Sequence, residues 1–136
     1  MVFMEQRKYP FLERKGFTIT SSTSGGYLPQ DYIVILESPH FSLKYGLERF
    51  TAFIEIASNT DKNEWKDLTL VKALLYSEEL SEHKPDTAKL EHFLQTDFDK
   101  IVLLFNNENY AATKIKLNEL VRVRLRRMFP KLKDRF

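Results

Sequence analysis

Hydrophobic positions along this chain recur first at strand spacing and then at helix spacing, and the change falls near Ser58. The opening segment, residues 3–15, reads as a short amphipathic helix with Phe3, Phe11 and Leu12 on its apolar side and Gly16 as a stop. Pro10 removes a backbone donor, so that helix either begins at Pro10 or consists of two pieces. Phe17-Thr18-Ile19-Thr20 then alternates as a strand does. Ser21 to Gly26 reads as a flexible connection, and Tyr32 to Leu36 as a β-branched apolar strand. Phe41 to Tyr45 alternates with Phe41, Leu43 and Tyr45 on one side. Thr51 to Ala57 alternates with Ala52, Ile54 and Ile56 on one face and Phe53 and Glu55 on the other. The connections between these runs are short, which favours an antiparallel meander of about four strands.

After Ser58 the period becomes helical. Asp61 followed by Glu64 has capping-box spacing, and predicts a helix through Trp65, Leu68, Val71, Leu74 and Leu75 that ends near Glu78–Ser81. Pro85-Asp86-Thr87 starts a second helix carrying Leu90, Phe93 and Leu94, with a break near Gln95–Asp97. Phe98 to Phe105 follows, then an Asn106-Asn107 turn and a long helix from about Glu108 to Phe129. Pro130 stops that helix, and residues 130–136 are expected to fray. Strands grouped first and helices afterwards indicate one α+β domain over residues 1–136, with the C-terminal helices packed on one face of the sheet.

The 136 residues suit one domain with one core, and 11 Phe, 6 Tyr and one Trp supply ample area to bury. The absence of cysteine excludes disulfides, thiolate nucleophiles and cysteine-ligated metals. It fits a reducing compartment. No apolar run approaches the roughly 20 residues of a membrane span, and Glu5, Gln6, Arg7 and Lys8 interrupt any leader-like stretch. A cytoplasmic protein that spans no membrane is the expectation.

Charge is distributed unevenly. Lys114 to Phe136 holds nine basic and two acidic residues, whereas the preceding 113 residues hold 12 basic and 17 acidic ones. On a helical wheel Leu117, Leu120, Val121, Leu125 and Met128, with Tyr110, make a core-facing stripe of the last helix. Arg122, Arg126, Glu119 and Ile115 lie opposite, flanked by Lys116 and Arg127. Arg124 falls within the apolar stripe and calls for an acidic partner from the body, for which Glu37 and Glu55 are the candidates, or for an interface. Glu78, Glu79, Glu82 and Asp86 gather around one helix–helix connection and form a candidate landing site for a basic protein. Arg122 and Arg126 are the candidate contacts for nucleic acid.

Catalytic signatures do not accompany these patches. Ser24-Gly25-Gly26 lacks the Gly-Lys-Ser/Thr of a phosphate loop and reads as a mobile loop. His40, His83 and His92 lack metal-ligand spacing, so neither metal nor cofactor is expected. No Gly-x-Ser-x-Gly elbow occurs. Glu64-Trp65-Lys66 matches a nuclease triplet but falls at a helix start. These observations favour a non-enzymatic binding protein. A nucleic-acid-binding accessory protein and an enzyme with an unrecognised carboxylate site are the alternatives.

The plan of a helix, a meander and then helices resembles the small α+β immunity proteins of bacterial toxin–immunity systems, including contact-dependent inhibition and polymorphic toxins. The segments Phe53 to Ser58, Asp61 to Trp65 and Arg126-Arg127-Met128-Phe129-Pro130 are also similar to small bacterial proteins. The resemblance implies an inhibitor that binds a toxin domain stoichiometrically in the producing cell. A basic nuclease toxin would suit the acidic connection. The resemblance supplies no site residues, because no site pattern is matched.

Overall fold

The computed structural model describes residues 9–78 and 86–135. It is an α+β fold. Helix α1 (Pro10–Arg14) leads into strands β1 (Thr18–Ser24), β2 (Tyr32–Glu37), β3 (Ser42–Glu48), β4 (Thr51–Ala57) and β5 (Lys66–Asp67). Helices α2 (Leu68–Tyr76), α3 (Thr87–Thr96), α4 (Phe98–Phe105) and α5 (Tyr110–Met128) follow, and a 3₁₀ helix spans Pro130–Arg135. The strands form one antiparallel sheet in sequence order.

Alternation decides the two faces of that sheet. Register places Val34 opposite Tyr45 and Leu36 opposite Leu43, and on the next strand Ile54 opposite Tyr45 and Ile56 opposite Leu43. All six are buried against Leu68, Leu70, Val71, Phe93, Leu94, Ile101 and Leu117 of the helices. The other face carries Ile33, Ile35, Lys44, Phe53 and Glu55, all half-buried. There Lys44 pairs with Glu55 directly across the ladder (3.6 Å) and lies over the Trp65 ring (4.5 Å). The Phe53 ring lies across Gly46, where a Cβ would collide with it.

Three local expectations are revised. The flexible connection at Ser21–Gly26 is mostly strand: Ser21 to Ser24 pair with Ile35 to Tyr32, past an irregularity between Ile19 and Ser21. The remaining loop is tied by the buried Asp31, whose carboxylate accepts from Leu28 N (3.1 Å) and Arg49 N (3.0 Å). Asp61 and Glu64 do not cap a helix. Lys66 and Asp67 pair with β4 as a fifth strand, and the helix starts at Leu68 with Asp67 Oδ1 accepting from Thr69 N (2.9 Å). Residues 130–135, expected to fray, form the 3₁₀ helix. Of the helix expected over residues 3–15, residues 9–15 lie among the described ones, and the helix there begins at Pro10, one of the two starts expected, with the proline in its first turn.

The β3–β4 hairpin turns through Arg49 and Phe50, since Glu48 pairs with Thr51. Both turn residues have positive φ (50° and 69°), the signature of a type I′ turn that Asn-Gly ordinarily fills. A left-handed conformation costs roughly 1–2 kcal/mol per ordinary residue. Replacing Arg49-Phe50 by Asn-Gly should therefore raise stability by about 1–3 kcal/mol. Urea unfolding measures the gain, and an unchanged or lower midpoint would show the turn to be unstrained.

Candidate functional site

The acidic connection joins α2 to α3. Helix α2 closes on Ser77, a non-glycine residue in left-handed conformation (φ 52°), and Glu78 N donates to Ala73 O (3.2 Å). That closure brings Glu78 back to Lys72, whose ammonium reaches both carboxylate oxygens (2.8 and 3.1 Å). On the other side Asp86 is the N-cap of α3, accepting from Ala88 N (3.0 Å) and Lys89 N (3.2 Å). Two of the four acids singled out above therefore flank the connection, each with a local structural task. Glu79 and Glu82 lie outside the described residues, as does His83.

Beside this connection lies a cleft of about 560 Å³ between α2 and α3, lined by Lys72, Tyr76, Glu78, Lys89, His92, Phe93 and Asp97 among others. Its polar centre is a pair that periodicity did not disclose. The Tyr76 hydroxyl donates to Asp97 Oδ2 (2.7 Å), Thr96 Oγ1 lies 3.2 Å from the same oxygen, and Lys100 stands 3.6 Å from Oδ1. The Tyr76 hydrogen bond holds the Asp97 carboxyl below the ordinary aspartate range, against the opposing effect of burial. The same bond pushes the Tyr76 phenol above its ordinary value. Both groups are thus driven away from neutral pH, the opposite of what a general acid or base needs. The pair ties the end of α2 to the α3–α4 junction.

Among the described residues no three histidine or acidic side chains are grouped to hold a metal ion. His40 sits on the turn before β3 with its ring edge-on to Phe98 (5.7 Å), and His92 is exposed at the cleft. Glu64 is exposed beside Lys66 (3.9 Å), at the entry to β5.

Comparison with known protein families, with curated proteins and with solved structures finds no match.

The basic last helix spends part of its charge on the chain itself. Arg124 does reach an internal acid, but the acid is Asp67 (Nη1 to Oδ2, 3.0 Å) and neither Glu37 nor Glu55. Glu37 is engaged by Lys62 (3.0 Å), whose hydrogen bond holds its carboxyl below the usual range, and Glu55 faces Lys44. Asp67 is nearer because β5 runs straight into α2, which packs on α5. One turn or more earlier, Lys114 donates to Asp61 (2.8 Å), which raises the lysine's pKa, and Lys66 donates to Asn118 (2.7 Å). Arg122 is exposed, 3.9 Å from Glu119, and Arg126 is exposed one turn further on. Sequence periodicity located Arg124 as the residue facing the body. It did not locate the Tyr76–Asp97 pair, because neither residue breaks an amphipathic pattern.

Asp67 has two separable roles. Asp67→Ala removes both the helix cap and the ion pair, and should cost about 1–2 kcal/mol; Asp67→Asn keeps a cap acceptor and should cost under about 1 kcal/mol, since the pair is partly exposed. Equal losses in urea unfolding would show that the cap contributes nothing. For Asp97, the folded carboxyl lies below its unfolded value, so its stabilisation is present above the ordinary aspartate range and is lost as pH falls through the folded value. Thermal melts should show wild type more stable than Tyr76→Phe at neutral pH, with the difference shrinking below the carboxylate range. A difference that grows on acidification would refute this assignment.

Proposed function

We propose that this chain is a non-enzymatic binding protein of the immunity type, which neutralises a bacterial toxin domain by stoichiometric capture in the cytoplasm. The observation that carries the reading is the α2–α3 junction, where an apolar-floored cleft containing Tyr76 and Phe93 adjoins a connection rich in carboxylates. Glu78, Glu79, Glu82 and Asp86 supply negative charge for steering a basic partner, such as a nuclease toxin, and the cleft supplies area for a side chain of that partner. The titratable pair in the cleft is held away from neutrality, which suits a recognition surface better than a reaction centre. Lys114 and Arg124, turned onto Asp61 and Asp67, clamp the last helix to the body and withdraw two cations from any nucleic-acid surface.

The test is binding to a basic toxin domain, the first candidate being any such domain encoded by a neighbouring gene. Glu78, Glu79 and Glu82 are reversed to Lys, while Asp86→Asn removes the fourth charge and keeps the α3 cap. Association at low salt should slow by about 10-fold or more, and less at high salt. Unchanged association would remove this connection as the contact, and absence of complex formation with the wild-type chain would remove the immunity reading itself.

A further inference from the structure

Helix α5 is buried only in its first half. Tyr110, Thr113 and Leu117 are its buried residues, and nothing beyond Leu117 is fully covered. Met128, which the wheel placed on the core-facing stripe, is 45% exposed. Phe129 is 45% exposed and Leu132 is 41% exposed. Pro130 stops the helix, and Leu132 N donates to Phe129 O (2.9 Å), so a tight turn joins the backbone at these two exposed residues.

Cations neighbour these apolar side chains along the chain. Residues 122–135 contain seven basic residues and one acid, Asp134. Arg122, Arg126, Arg127, Lys131 and Arg135 are all exposed. One end of the molecule therefore presents apolar and positive groups together, with no Asn, Gln, Ser or Thr between Glu119 and Phe136. A nucleic acid would answer the charge, but it gives Met128 and Leu132 no apolar medium to enter, and the segment lacks the amides and hydroxyls that read bases. An anionic bilayer surface answers both: its headgroups attract the cations, and the acyl boundary beneath them takes the apolar side chains.

We propose that the end of α5 and the 3₁₀ turn after it form a peripheral docking surface for anionic phospholipid bilayers, with Phe129 and Leu132 inserting and the flanking arginines and lysines contacting headgroups. No described helix is long and apolar enough to cross a membrane, so the association is with the surface. The proposal stands apart from toxin capture, and its test contains no toxin. The full chain is sedimented with large vesicles of phosphatidylcholine alone, and with vesicles containing about 30% phosphatidylserine, at ~100 mM salt. It should partition at least about 10-fold more strongly onto the anionic vesicles. Phe129→Ser/Leu132→Ser and Arg122→Glu/Arg126→Glu should each weaken that partition by about 10-fold while far-UV circular dichroism stays unchanged. Failure to bind anionic vesicles overturns the proposal. So does undiminished binding by the serine variant, which would reduce the effect to charge, and so does retention on duplex DNA or RNA in place of vesicles.

Discussion

Phe41 is the contact on which the layered arrangement depends. It is fully buried at the entry to β3, with its ring 5.3 Å from Phe17, 5.5 Å from Phe98 and 6.1 Å from Phe105. Phe105 in turn meets Tyr110 at 5.5 Å, so one chain of aromatic contacts runs from the segment before β1, through the sheet, to α4 and the start of α5. Such rings bury large areas and hold defined mutual angles, which makes them strong determinants of how helices sit on a sheet. Ser38 supports the same corner: its backbone N–H and hydroxyl both donate to Phe41 O, and its Oγ accepts from Phe41 N.

Charge acts within this frame as fastening at one end and as display at the other. The first half of α5 is held by Lys114 on Asp61 and by Lys66 on Asn118, and Arg124 on Asp67 continues the row. All three contacts tie the helix to the segment between β4 and α2. Exposed ion pairs contribute little individually. Their value here is positional, since they align α5 over the first turn of α2. Arg126 and Arg127, beyond Arg124, are exposed and share the surface with apolar side chains. The acidic connection lies between α2 and α3 in the chain, whereas the basic residues gather in the last helix and the turn after it.

The class of the fold, strands β2–β4 and the opening of β1, helices α3 and α4, and the extent of α5 were legible in the sequence, because each rests on a periodic pattern local to one element. The capped start of α3 at Asp86 was legible for the same reason, as a cap is a contact within three residues. Arg124 facing the body was legible from the wheel, but its partner was not. Tertiary structure alone selected Asp67 over Glu37 and Glu55, because that choice depends on β5 delivering α2 beneath α5. The fifth strand was hidden behind a capping-box spacing at Asp61 and Glu64, and pairing of Lys66 and Asp67 with β4 outweighed that local signal. Likewise the Ser/Thr run of β1 has no apolar alternation to betray it, and becomes strand only because β2 offers a ladder of backbone partners. The Tyr76–Asp97 pair and the exposed end of α5 are three-dimensional facts of the same kind. Local pattern along the chain sets which faces are apolar and where charge accumulates; which acid meets which base, and which stripe residues stay exposed, follow from how separately specified elements stack.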